Sequence, residues 1–104
     1  MTLVRGIHLL AHGSKIEARR VARDIQQNQR LLVGPNTVYG AGTYAWHADH
    51  IPENLMDWPQ VLFEVDDRAI IDIYTGGEHR GFFVIPGAIG TYVSIHVVEF
   101  RNLW

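Results

Sequence analysis

The chain is 104 residues long, 47% of them hydrophobic and 19% charged, with a net charge of −2 and no cysteine. That length sets one domain, residues 1–104, and the apolar fraction excludes a disordered chain. Without cysteine there is no disulfide framework and no thiolate metal site, and without a run of about 18 apolar residues there is no membrane span, so the expectation is a soluble, cytoplasmic protein.

Charge is spread unevenly. Residues 1–48 carry six bases and two acids, net +4, whereas residues 49–104 carry three bases and nine acids, net −6. A basic half suits phosphates, although a charge run is more often a solvated helix face.

In chain order, Leu3 to Ala11 is apolar and β-compatible and reads as a buried strand. It stops at His12-Gly13-Ser14. Ser14 with Glu17 three residues later forms a capping box, and Ala18, Val21, Ala22 and Ile25 follow at helical spacing. A helix over 15–28 is therefore expected, with Arg19, Arg20 and Arg23 off its apolar stripe. Gly34-Pro35-Asn36 is a turn signal, and Val38 to Trp46 a strand or bent extended segment. Between Pro52 and Pro59 there is room for one short helix, about Glu53 to Trp58. Gln60 to Val65, Ala69 to Tyr74 and Phe82 to Ile85 read as strands, with Thr75-Gly76-Gly77 a turn. Tyr92 to Phe100 reads as one long strand with Val93, Ile95 and Val97 on one face. One early helix followed by short strands predicts an α+β fold with a split, mostly antiparallel β core.

Two stretches carry candidate chemistry. His12 ends a strand just before a helix N-terminus, where Gly13 permits close backbone approach and the first helical N–H groups favour an anion or polar oxygen. The ordinary alternative is a histidine satisfied by its own backbone. Residues 38–46 read Val-Tyr-Gly-Ala-Gly-Thr-Tyr-Ala-Trp, placing the largest side chains beside the smallest. Glycine in a strand marks a bend or a close approach, and aromatics beside such a bend can flank a flat ligand.

A strand ending in His12-Gly13-Ser14, then a helix, then Gly40-Ala41-Gly42-Thr43-Tyr44-Ala45-Trp46 resembles the NAD-binding core of the ADP-ribosyltransferases, in the poly(ADP-ribose) polymerase and diphtheria-toxin-like branch. Val61 to Val65 is similar to that family's next strand, and Phe82 through Phe100 to its closing strand pair. The resemblance implies transfer of ADP-ribose from NAD to a macromolecular acceptor, protein or nucleic acid, or hydrolysis of NAD: a glycosyltransferase activity. It implies that Gly13 bonds the nicotinamide amide through its backbone, that His12 holds a ribose hydroxyl, and that Tyr44 stacks on the nicotinamide ring. Ser14 and Gly42 belong to the same cofactor-binding set.

The chain also departs from the family pattern. The second stacking aromatic falls at Leu55, near Trp58, and an amide-contacting serine falls at Pro52. The usual catalytic glutamate, which stabilises positive charge developing on the sugar, falls at Gly81. Glu78, three residues earlier, is the candidate for that role. Branches such as the RNA 2′-phosphotransferases work without this glutamate and rely on basic residues, which Arg19, Arg20, Arg23 and Arg80 could supply.

Three other readings stand beside this one. His47-Ala48-Asp49-His50 with Glu53 offers metal-ligand residue types, but Pro52 interrupts the helix that would align them, and no metal is expected. A slot lacking the glutamate could hold a nucleotide or NAD derivative without turnover, as an inhibitor or sponge. Trp46, Trp58, Trp104, Tyr39, Tyr74 and Tyr92 read as core or interface, His8 as core and His96 as a satisfied strand histidine, while Val98, Phe100 and Trp104 are compatible with a sheet-mediated homodimer.

Overall fold

A computed structural model describes residues 2–10, 14–34, 40–73 and 81–103. The fold is α+β, as the pattern of elements predicts. Among the described residues one α-helix, α1 (Lys15–Asn28), packs on a six-stranded antiparallel sheet. The strands are β1 (Leu3–Leu9), β2 (Arg30–Leu32), β3 (Gly42–His47), β4 (Gln60–Asp66), β5 (Ile71–Asp72), β6 (Phe82–Pro86), β7 (Tyr92–Ser94) and β8 (His96–Arg101). The main sheet runs β5-β6-β3-β1-β4-β8, and β2 pairs with β7 in a separate two-stranded sheet. No helix among the described residues is long and apolar enough to cross a membrane.

The helix begins where the capping box places it. The Ser14 hydroxyl accepts from the Glu17 N–H (3.2 Å), satisfying one of the donors that a helix start leaves over. Ala18, Ala22 and Ile25 are its buried residues, and the two alanines let the helix lie close against the sheet. It ends at Gln29, whose φ of 51° turns the chain out of the helix and whose N–H bonds the Ile25 carbonyl.

The core lies between α1 and one face of the sheet. Partner positions Val4 with Val65, Gly6 with Phe63 and His8 with Val61 put these residues on that face. Phe83 and Ile85 reach it from β6, opposite Ala45 and Thr43 of β3. Phe63 and Phe83 are fully buried, their ring centroids 6.4 Å apart and their planes at 59°. The opposite face carries a second apolar set, in which Ile7, Leu62 and Val84 are also buried. On that side Trp46 packs on Phe82 at 4.8 Å between centroids.

Several elements differ from the sequence reading. The expected strand over Tyr92–Phe100 breaks at Ile95, because β7 pairs with β2 while β8 pairs with β4. Gln29 holds the break: its carbonyl accepts from the Ile95 N–H (3.0 Å) and its side-chain oxygen from the Val97 N–H (2.8 Å). Within β8, Leu62 faces Glu99 and Phe63 faces Val97, so Val98 is the extra residue of a bulge. That bulge lets both Val97 and Phe100 pack on the core. Of the strand expected over Ala69–Tyr74, the described residues hold the end of a 3-10 turn, Asp67–Ala69, and the two-residue β5, while Tyr74 lies outside them. The expected helix at Glu53–Trp58 is a single 3-10 turn, Glu53–Leu55, after another at Ala48–His50. The strand β2 was not foreseen. Asp66 caps its 3-10 turn, and the hydrogen-bonded Arg68 side chain and backbone N–H hold its carboxyl down at about 2.

Candidate functional site

The site begins at a gap in the sheet. β1 pairs with β4 along all seven of its residues but with β3 only at Gly6–His47 and Ile7–Trp46. Beyond Ile7 the two strands no longer form a ladder. His8 spans the opening, donating its Nδ1–H to the Tyr44 carbonyl (2.8 Å). The sequence reading of His8 as a core residue opposite Ile7 and Leu9 is right about its face, but the side chain is only partly buried and borders a cavity.

That cavity has a volume of about 610 Å³, within the usual range of small-molecule sites. α1 supplies Arg20, Val21, Asp24 and Ile25 to its wall. Arg30, Leu31 and Leu32 come from β2 and Tyr92 from β7. Gly42 and Tyr44 close the side formed by β3. The wall is mostly apolar, with charge confined to a few points. Arg20 pairs with Glu17 at 2.6 Å, and Asp24 accepts from Asn28 Nδ2 at 2.9 Å. The Arg30 guanidinium carbon lies 3.7 Å from the centroid of the Tyr92 ring.

Of the residues singled out in the sequence, Gly42 and Tyr44 are brought together at this cavity. Tyr44 stacks on Phe82, with centroids 5.6 Å apart and planes at 19°, and its hydroxyl donates to the Gly40 carbonyl. Gly42 has a packing reason to be glycine. A Cβ there would lie 2.5 Å from Val84 Cγ2 and 2.7 Å from the Ile85 carbonyl oxygen, so β6 could not approach. Ser14 does not line the cavity; its hydroxyl caps α1. His12, Gly13 and Glu78 lie outside the described residues, as do Tyr39, Tyr74, His79 and Arg80.

Gly81, at the position where the resemblance would put a glutamate, is buried with φ +88°. A Cβ there would stand 2.4 Å from His50 Cβ, so a larger residue needs both a strained backbone and displacement of His50. Its carbonyl accepts from the His47 N–H at 2.7 Å. His47 in turn contacts Asp72, Nε2 to Oδ1, at 2.7 Å. Among the described residues no three His, Asp or Glu side chains gather into a metal-binding group.

Arg30 and Tyr92 are the site residues that sequence reasoning missed. Tyr92 reads as core or interface, and Arg30 as one charge of the basic half. They are 62 positions apart, and only the pairing of β2 with β7, Leu32 opposite Tyr92, brings them together. No protein-family model, curated protein or solved structure matches this chain.

Proposed function

We propose that this chain binds NAD or an NAD-derived nucleotide in the cavity between α1, β1 and the β2–β7 pair. The observation that supports the reading is convergence. Gly42 and Tyr44 of the Gly-x-Gly-x-Tyr stretch border the same cavity as His8, on the strand that leads into His12-Gly13. An apolar wall suits a flat base, and a few charged groups at its rim suit ribose and phosphate.

Transfer of ADP-ribose to a macromolecular acceptor is the activity that the resemblance implies, and it needs a carboxylate near the reacting sugar. Gly81 has no room for one. Turnover therefore falls to Glu78, whereas binding without turnover needs no further residue; the crowding at Gly81 is what favours that second reading. The test is incubation with NAD labelled separately in its nicotinamide and adenylate parts, with His12→Ala, Tyr44→Ala and Glu78→Gln alongside. Nicotinamide release lost in all three variants supports transfer or hydrolysis, and the adenylate label then shows where ADP-ribose went. Saturable binding of intact NAD without release supports the binding module. Neither release nor binding removes the nucleotide reading.

A further inference from the structure

The cavity contains a cation, Arg30, that has no counter-charge among the described residues. Arg20 has Glu17, and Asp24 has Asn28. Among the described residues, no carboxylate lies within ion-pair distance of Arg30 and no acceptor takes a hydrogen bond from it; its Nε is buried and unpartnered. Among the described residues its guanidinium meets the Tyr92 ring, at 3.7 Å from the centroid. A ring face offsets the charge but offers no lone pair to the N–H donors. Buried donors are nearly always bonded, so an unpartnered Nε–H at a cavity wall calls for an acceptor from outside the chain. A guanidinium fork matches the paired oxygens of a phosphate, and Tyr92 holds the fork in place. Asp24 is the one acid among the described lining residues and disfavours an anion at its own end of the cavity.

We propose that Arg30 is the anion-recognising residue of this cavity and that the ligand it selects carries a diphosphate, in preference to an uncharged nucleoside. The proposal rests on the nucleotide reading and deepens it by naming the charged part of the ligand and the residue that meets it.

The test is calorimetric titration of the wild-type chain, Arg30→Gln and Arg30→Lys with ADP-ribose, adenosine and inorganic pyrophosphate, at low and high salt. Thermal melts confirm that both variants fold. ADP-ribose should bind the wild type and lose about ten- to a hundredfold in affinity in Arg30→Gln, the loss of a charge-assisted contact. Arg30→Lys should fall between them, adenosine should bind wild type and variants alike, and salt should weaken ADP-ribose binding to the wild type more than to Arg30→Gln. Equal affinity of wild type and Arg30→Gln for ADP-ribose overturns the role of Arg30 and leaves the nucleotide reading intact. Pyrophosphate binding that depends on Arg30, with no added affinity for ADP-ribose, keeps the anion site and removes the nucleotide reading. A wild type that binds none of the three removes both.

Discussion

Gly6 sits at the centre of β1, paired on one side with His47 and on the other with Phe63. A Cβ at this position would lie 2.7 Å from Phe63 Cζ, 2.7 Å from Phe83 Cζ and 3.1 Å from Phe63 Cε1. The tips of the two largest fully buried side chains occupy the space that any other residue would need. Carbon atoms in contact rest at roughly 3.5–4.0 Å, so both rings would have to retreat by about 1 Å. Neither has anywhere to go in a densely packed interior. Gly6→Ala therefore sets an overpacking cost of about 1–3 kcal/mol against a gain of about 0.5–1 kcal/mol from replacing glycine in a strand. The net loss is about 1–2 kcal/mol, which in a domain of this size lowers Tm by about 5–15 °C. Thermal unfolding followed by circular dichroism, with a urea titration to confirm the free energy, measures it. The same substitution in a Phe63→Leu background should cost less, because one of the two rings is gone. An unchanged or raised Tm, or strictly additive effects in the double variant, would refute the reasoning.

Ser14→Ala should destabilise the chain by about 1 kcal/mol, and Ser14→Asp should retain most of the stability, as read from thermal melts. Gly81→Ala should lower stability by more than the roughly 1 kcal/mol of a left-handed alanine alone, because its Cβ also meets His50; adding His50→Gly should recover only the steric part. Asp66 has its carboxyl pKa lowered from 3.8 to about 2, so its contribution to stability is fully present above pH 4 and is lost as pH falls toward 2. Arg68→Ala should therefore be less stable than wild type above pH 4, with the gap shrinking as pH falls through 2, closing by about pH 1, and narrowing in high salt, since the pair is exposed to solvent. A gap that does not shrink between pH 4 and about pH 1 would mean that Arg68 acts through something other than the Asp66 carboxylate.

What was legible in the sequence is what local chemistry encodes. The Ser14–Glu17 capping box and the spacing of Ala18, Ala22 and Ile25 placed α1 over Lys15–Asn28 without help from the rest of the chain. The apolar runs of β1 and β4 mark two interior strands of the sheet for the same reason. The break at Ile95 was not legible, because the inward alternation of Val93, Ile95 and Val97 continues through it unchanged. Only the choice of partner, β2 before the break and β4 after it, divides the strand. β2 was missed because three residues following a helix carry too little pattern. The aromatic–glycine stretch illustrates an ambiguity of another kind. Gly42 drew notice as a residue that bends round a ligand, yet contact with Val84 and Ile85 already requires it to lack a side chain. Arg30 shows the reverse case. Nothing in its neighbourhood in sequence distinguishes it from the other arginines; its distinction among the described residues is a buried Nε without a hydrogen bond, beside the Tyr92 ring.

Gln29 ends α1, precedes Arg30 directly and bonds both Ile95 and Val97. One residue thus fixes the start of β2 and the end of β7, the two strands that carry the Arg30–Tyr92 contact. The pair therefore does not have to be assembled from floppy parts when a ligand arrives, and the conformational entropy of arranging it has been spent during folding. Binding at this wall should accordingly be fast and little dependent on rearrangement, and Gln29→Ala, outside the cavity wall, should loosen the grip only in part, because it removes the side-chain bond to Val97 and keeps the carbonyl bond to Ile95.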